Sequence, residues 1–138
     1  MSEQSEDTKP IALVIEDNPD QNLVFTMALN KAGFSTESIY NGIDAQQRLK
    51  EVVPQIVILD LHLPDIDGNI ILGQIRSERR LSKVSVVLAT ADAAFADALE
   101  SQVELVLLKP VSFSQLSDLA SRFNPKRATG ALRRPNTS

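Results

Sequence analysis

Short, largely apolar runs alternate with longer segments of helical spacing along most of this chain. Unbroken apolar runs of four to eight residues are typical of strands that are buried on both faces. Strands that alternate with helices favour an open parallel sheet covered by helices on both sides. The pattern therefore predicts an α/β fold with a doubly wound, five-stranded parallel sheet. Its strands are predicted at residues 11–15, 34–39, 56–59, 84–89 and 105–108, the second being the weakest.

Turn and capping residues predict the limits of the helices. Pro19 lies near the start of the first helix and Gly33 lies just after its end. Asp92 and Ser112 are suited to cap the fourth and fifth helices, because their side-chain oxygens accept from free N–H groups of a first turn. The predicted helices span residues 21–32, 43–50, 69–78, 93–101 and a last segment after Ser112.

Length and composition predict one ordinary domain, since 138 residues with 43% hydrophobic content suit a single globular unit. We expect residues 10–124 to form this domain, 1–9 a disordered N-terminal segment and 125–138 a flexible basic tail. The absence of cysteine excludes a disulfide framework and a thiolate metal site. No apolar run approaches the ~20 residues of a membrane span, so a cytoplasmic location is expected.

The net charge of −4 is unevenly distributed, because no acidic residue follows Asp118. A solvated tail is one interpretation of this basic end, and an electrostatic contact to a partner is the other. The tail has neither aromatic residues nor a helical pattern, and the rest of the chain is acidic. A nucleic acid is therefore not the expected partner, and neither is a membrane. The basic residues are Arg122, Lys126, Arg127, Arg133 and Arg134.

Polar side chains follow four of the predicted strands at the point where each strand ends. Glu16 and Asp17 follow the first strand, Asp60 the third, Thr90 the fourth and Lys109 the fifth. Each of them alone is more typical of a turn or a cap. Ligands of open parallel sheets bind outside the carboxyl ends of the strands. The combination of three acids, a hydroxyl and an amine therefore predicts a site at this edge.

The residue types in this set indicate phosphoryl chemistry. Carboxylates that lie close together repel one another unless a cation joins them, and Mg²⁺ is a hard divalent ion suited to carboxylate oxygens. Such an ion bridges Asp60 and an incoming phosphoryl group, whose other oxygens suit the Lys109 ammonium and the Thr90 hydroxyl. Asp60 would then be the nucleophile that forms an aspartyl phosphate.

Four segments of the chain resemble the receiver domain of two-component response regulators, and the resemblance covers residues 10 to about 124. It implies the flavodoxin-like strand order 2-1-3-4-5. It implies Mg²⁺ bound by Asp17, Asp60 and the backbone carbonyl of His62, and through water by Glu16. It also implies a histidine kinase or a phosphotransfer protein as phosphodonor, and a cis Lys109–Pro110 bond. The matching segments are IEDNPDQ, LDLHLPDIDG, LATA and LLKPVSFSQL.

The side chains of two further positions, Val106 and His62, are the subject of separate predictions. Val106 stands where relatives carry an aromatic residue that turns inward on phosphorylation, so we expect output to depend on the loop after the fourth strand, with Asp92 and Ala93. His62 is the only histidine. Its side chain is expected to point outward and, like Asp92, to influence at most the rate of dephosphorylation.

The first helix carries two apolar residues beside its buried stripe, Leu23 and Met27, one turn apart. Scattered exposed apolar residues are common, which is one interpretation. The other is a docking face for the phosphodonor. The output partner is not indicated by the sequence.

Three other functions are compatible with parts of this pattern. The first is a receiver-like scaffold that binds proteins without being phosphorylated. The second is a phosphatase with an aspartyl nucleophile, but such enzymes carry a DxD arrangement after the first strand, whereas Glu16-Asp17-Asn18 stands there. A flavin-binding protein is the third, although the first loop lacks the small residues that surround a phosphate. A switch domain rather than an enzyme is the preferred prediction.

Overall fold

The computed structural model of the chain describes residues 8–126. Most of the predicted N-terminal segment and of the predicted basic tail lies outside this range, so both stay predictions. Among residues 8–126, no helix combines the length and the apolar character needed to cross a bilayer.

Between Ile11 and Ser121, five strands alternate with five helices. The strands are β1 (Ile11–Ile15), β2 (Ser35–Ile39), β3 (Ile56–Leu59), β4 (Ser85–Thr90) and β5 (Leu105–Leu108). The helices are α1 (Pro19–Lys31), α2 (Gly42–Glu51), α3 (Gly68–Ser77), α4 (Ala93–Ala98) and α5 (Phe113–Ser121), and 3₁₀ turns lie at Arg79–Leu81 and Glu100–Gln102.

Capping explains where the helices begin and end. The Asn18 side chain accepts from the Gln21 N–H, so α1 begins at Pro19, two residues before the predicted start. Gly33 follows the helix with a φ of 97°, the left-handed conformation that ends many helices. The predicted fourth helix is too long, because the Leu99 N–H bonds to the Ala96 carbonyl and the chain tightens into a 3₁₀ turn.

All strands are parallel and lie in the order β2-β1-β3-β4-β5, which confirms the predicted order. The register brings the last residues of neighbouring strands side by side: Ile15 pairs with Ile39 and with Leu59, and Thr90 pairs with Leu108. The residues that follow the strands therefore meet at one edge of the sheet.

The core consists of two apolar layers, one on each face of the sheet. In β1, Leu13 and Ile15 face the layer that α2, α3 and α4 cover. Ala12 and Val14 of the same strand face the layer that α1 and α5 cover. Because both faces are covered, alternate residues are equally buried, which accounts for the unbroken apolar runs in the sequence.

Candidate functional site

Three carboxylates meet where β1 and β3 end. Ligand oxygens of Glu16, Asp17 and Asp60 all lie within 4.8 Å of one another. Glu16 and Asp60 are buried, whereas Asp17 is exposed, so the cluster opens to solvent on the Asp17 side. The short loop after β1 turns back at once, because the Glu16 carboxylate accepts from the Asn18 N–H at 3.1 Å.

Lys109, which directly follows β5, brings an ammonium group into this cluster. Its Nζ lies 2.6 Å from Glu16 Oε1 and 3.3 Å from Asp60 Oδ2, and its side chain is only 20% exposed. The Lys109 N–H bonds to the Thr90 carbonyl, which fixes the lysine beside the end of β4. The Lys109–Pro110 bond is cis, as the resemblance implied.

Burial and charge act against each other in this cluster. Burial raises the pKa of the Glu16 carboxyl above its ordinary value, although the hydrogen bond with Lys109 opposes the increase. Burial alone would lower the pKa of Lys109, but the hydrogen bond with Glu16 and the charge of Asp60 raise it overall. One ammonium therefore pairs with two of the three carboxylates of the cluster. Oxygen donors with excess negative charge at these separations fit a hard divalent cation such as Mg²⁺.

Thr90 is fully buried at the end of β4. Its Oγ1 accepts a hydrogen bond from the Asp92 N–H at 3.1 Å. A hydroxyl that accepts through its oxygen still carries a proton for donation. Thr90 is thus joined through its backbone to Lys109 and through its side chain to the loop that precedes α4.

The segment from Asp60 to Gly68, here called the acceptor loop, folds back on itself. The His62 N–H lies 3.2 Å from Asp60 Oδ1, and the Gly68 N–H bonds to the Leu61 carbonyl at 2.7 Å. An isolated antiparallel bridge joins His62 and Asp67. The backbone around His62 is therefore fixed close to the Asp60 carboxylate.

Sequence reasoning missed two contacts of the acceptor loop. The Asp65 carboxylate accepts from the N–H groups of Gly42 and Ile43, both at 2.8 Å. The ring of His62, which is more than half exposed as predicted, bonds to Asp92 at 2.7 Å and lies 5.8 Å from the Phe95 ring. Both contacts join residues more than twenty positions apart, and the only local signal was the short Asp-Ile-Asp-Gly turn.

The His62–Asp92 pair has a measurable consequence in the metal-free protein. Its hydrogen bond raises the pKa of His62, and the pKa of Asp92 is lowered first by the Phe95 N–H and then by His62. Because the folded-state pKa of His62 is raised, the pair stabilises the fold below the unfolded value of about 6.5. This contribution is lost as the pH rises through the folded value.

We expect Asp92→Asn to lower the pKa of His62, as read from the pH dependence of its ring proton signals by NMR. The matched control is Asp97→Asn, which removes a carboxylate from an exposed position on α4, the helix that Asp92 caps. An unchanged His62 titration in the Asp92 variant would show that the pair does not form in solution.

The remaining predicted positions are Val106 on β5 and Leu23 and Met27 on α1. Val106 is half-buried against the core layer of α2–α4, beside a shallow groove that Ala93, Ala96 and Leu108 line. Leu23 and Met27 are 58% and 51% exposed on α1.

Comparison with known proteins identifies the family. The response regulator receiver domain model matches residues 12–121, so the chain belongs to the response regulator receiver domain family. Receiver domains of this family are the phosphorylation-based switches of two-component signalling systems, which is the class of protein that the fold and the site indicate. The family is one of signalling switches rather than of enzymes.

Three relatives illustrate the match. The chain is 32% identical over 117 residues to the probable methanogenesis regulatory protein FilR2 of Methanothrix harundinacea, covering 77% of this chain and 76% of that protein. It is 28% identical over 92 residues to hybrid signal transduction histidine kinase D of Dictyostelium discoideum, covering 67% of this chain and only 6% of that protein. The signal receiver domain of a putative LuxO repressor from Vibrio parahaemolyticus superimposes with a TM-score of 0.77 at 26% identity, covering 90% of this chain and 96% of that one.

Proposed function

We propose that this chain is a phosphoryl-accepting switch in which Asp60 is the residue that is phosphorylated. The observation that carries the proposal is the position of the Asp60 carboxylate. It lies at the open edge of the sheet, 3.3 Å from the Lys109 ammonium and within ligand distance of Glu16 and Asp17. A carboxylate between a fixed cation and a cation-binding cluster is suited to attack a phosphoryl group.

In the proposed step, a carboxylate oxygen of Asp60 attacks the phosphorus of a phosphohistidine. The new P–O bond forms as the P–N bond breaks, and the imidazole nitrogen keeps the electron pair and later takes a proton. The Lys109 ammonium and the Thr90 hydroxyl bind phosphoryl oxygens and so stabilise the developing charge. When bound, the metal ion would neutralise part of the negative charge of Asp60 and of the phosphoryl group.

Asp17, Asp60 and the backbone carbonyl of His62 are the proposed direct ligands of Mg²⁺, with Glu16 acting through water. The ion pair between Glu16 and Lys109 supports this division, because it already occupies one oxygen of Glu16. Asp17 is the exposed carboxylate of the three, and an ion that keeps several waters suits such a position.

The proposal predicts that a small acyl phosphate with Mg²⁺ adds one phosphoryl mass to the wild type and none to Asp60→Asn. Intact mass spectrometry measures the result, and Asp67→Asn, in the same loop, is the control that should still be modified. A wild type that stays unmodified would favour the alternative of a protein-binding scaffold that is not phosphorylated. Steady release of inorganic phosphate from unrelated esters would favour the phosphatase.

The proposed phosphodonor is a histidine kinase or a phosphotransfer protein that docks on α1 at Leu23 and Met27. Two exposed apolar side chains one turn apart suit the apolar face of a partner helix.

We expect the double variant Leu23→Asp, Met27→Lys to slow transfer from the cognate donor at least tenfold while leaving modification by the small acyl phosphate unchanged. Ile70→Asp, at a similarly exposed apolar position on α3, is the control. Equal transfer rates for wild type and double variant would exclude this docking face.

Output is proposed to proceed through a partner that recognises the phosphorylated form. Val106 is too small for a large rotamer change, so the proposed moving part is the loop of Thr90, Asp92 and Ala93 at the start of α4. The proposed place of action is the cytoplasm, with which the absence of cysteine is compatible.

A further inference from the structure

The tip of the acceptor loop is attached to the start of α2. Asp65 Oδ1 accepts from the N–H groups of Gly42 and Ile66 at 2.8 and 2.9 Å, and Oδ2 accepts from Ile43 at 2.8 Å. The first N–H groups of a helix have no partner inside it. The side chain of the cap residue Asn41 accepts from the Asp44 N–H. The N–H groups of Gly42 and Ile43 are bound instead by a carboxylate more than twenty residues away, which completes the cap of α2.

An apolar contact reinforces this attachment. Ile66 lies so close to Gly42 that a Cβ added there would be 2.2 Å from the Ile66 Cγ1. Ile66 also packs against the core layer that α2, α3 and α4 cover. Glycine at position 42 is therefore what permits the loop to approach the helix. We call the contacts of Asp65 and Ile66 with Gly42 and Ile43 the α2 joint.

The α2 joint connects two segments that each lead to residues of the proposed metal site. On one side, α2 follows β2, whose last residue, Ile39, accepts a hydrogen bond from the Glu16 N–H at 3.0 Å. On the other side, the acceptor loop carries Asp60 and the His62 carbonyl, and its two arms are joined by the His62–Asp67 bridge. Pairing of β1 with β3 already holds Asp60 beside the end of β1, since the Asp60 N–H bonds to the Ile15 carbonyl at 3.0 Å. The joint adds a second connection, which restrains the loop that carries the His62 carbonyl.

We propose that Asp65 is a positioning residue for the metal site, which preorganises the His62 carbonyl and Asp60 for the cation by binding the acceptor loop to α2. This inference rests on the proposed function, because it assumes that the cluster binds Mg²⁺. Ligands already in place spare the ion the free energy of ordering a loop, and loss of supporting contacts around metal ligands typically weakens binding by 10–100-fold.

The test is the Mg²⁺ affinity of Asp65→Asn, measured by isothermal titration calorimetry on the unphosphorylated protein. We expect affinity to fall about tenfold. Phosphorylation by a small acyl phosphate should need correspondingly more Mg²⁺ and should reach the wild-type rate at saturation. The matched control is Asp67→Asn, which removes a carboxylate from the same loop. Among the described residues, the Asp67 side chain makes no capping hydrogen bond to α3. The Mg²⁺ affinity of this variant should equal that of the wild type.

A second variant, Gly42→Ala, disrupts the α2 joint on the helix side of the contact. Gly42→Ala displaces Ile66 and should weaken Mg²⁺ binding to a similar extent, and the double variant should be little weaker than either single one, because both break one contact surface. Wild-type Mg²⁺ affinity in Asp65→Asn, together with a lowered melting temperature, would make Asp65 a structural cap only and overturn the inference. Absence of both Mg²⁺ binding and phosphorylation in the wild type would instead overturn the proposed function on which it rests.

Discussion

Replacing Gly68 by alanine is expected to reduce the free energy of unfolding by about 3 kcal/mol. A Cβ at this position would lie 2.4 Å from the Asp60 carbonyl oxygen and 2.8 Å from the Leu61 Cα. These are backbone atoms that cannot rotate away, so either α3 or the acceptor loop must move. The hydrogen bond from the Gly68 N–H to the Leu61 carbonyl would be strained by the same displacement.

Gly73, in the middle of the same helix, provides the matched control. Apart from its chain neighbours and the backbone of its own helix, a Cβ there would meet none of the described atoms within 4 Å, and the position is exposed. Gly73→Ala should therefore increase stability by about 0.5–1 kcal/mol, the difference in helix propensity. Urea unfolding of the three proteins, monitored by circular dichroism, measures both effects. A Gly68→Ala protein as stable as the wild type would show that the acceptor loop is not packed against α3 as described.

Replacing Lys109 by methionine is expected to cost about 3 kcal/mol of stability in the absence of Mg²⁺. The substitution keeps most of the apolar stem but leaves the buried Glu16 and Asp60 carboxylates without their ammonium partner. Removal of one partner of a buried ion pair is costly because the remaining charge is neither solvated nor compensated. The partial exposure of Lys109 keeps the expected value at the lower end of the usual range.

Added Mg²⁺ should restore part of this loss, because a cation bound to the carboxylates takes over the electrostatic role of the ammonium. The melting temperature of Lys109→Met should thus rise more steeply with Mg²⁺ concentration than that of the wild type. Lys83→Met, at an exposed position, is the control and should be nearly neutral in both conditions. Equal Mg²⁺ responses in wild type and Lys109→Met would contradict a shared site for the ammonium and the cation.

The fold was predictable because its signals are local. The run Ile56–Leu59 is apolar at every position since both of its faces are covered, and the predicted caps Asp92 and Ser112 directly precede their helices. Helix ends were less predictable. The end of α4 depends on an i−3 hydrogen bond at Leu99, which competes with the α-helical bond by a small difference in free energy.

The residues of the site could also be predicted from the sequence, because parallel strands bring their carboxyl ends to one edge of the sheet whatever the conformation of the loops. Glu16, Asp17, Asp60 and Lys109 were predicted to lie together by that rule alone. The structure brings oxygens of the three carboxylates within 4.8 Å of one another and Lys109 Nζ into contact with Glu16 and Asp60. The sequence did not predict that Lys109 would lie closer to Glu16 than to Asp60. This difference depends on the depth of each side chain relative to the sheet edge, a matter of fractions of an ångström.

The amino-acid sequence by itself determined the parallel sheet and the chemical groups at its edge, and its resemblance to receiver domains implied the strand order and the family. Only the tertiary structure decided that Asp65 binds the start of α2 and that His62 bonds to Asp92. The physical reason is the range of the interactions. Apolar periodicity and caps act over a few residues, whereas the path of a loop is selected by contacts between segments that meet only after the sheet has formed.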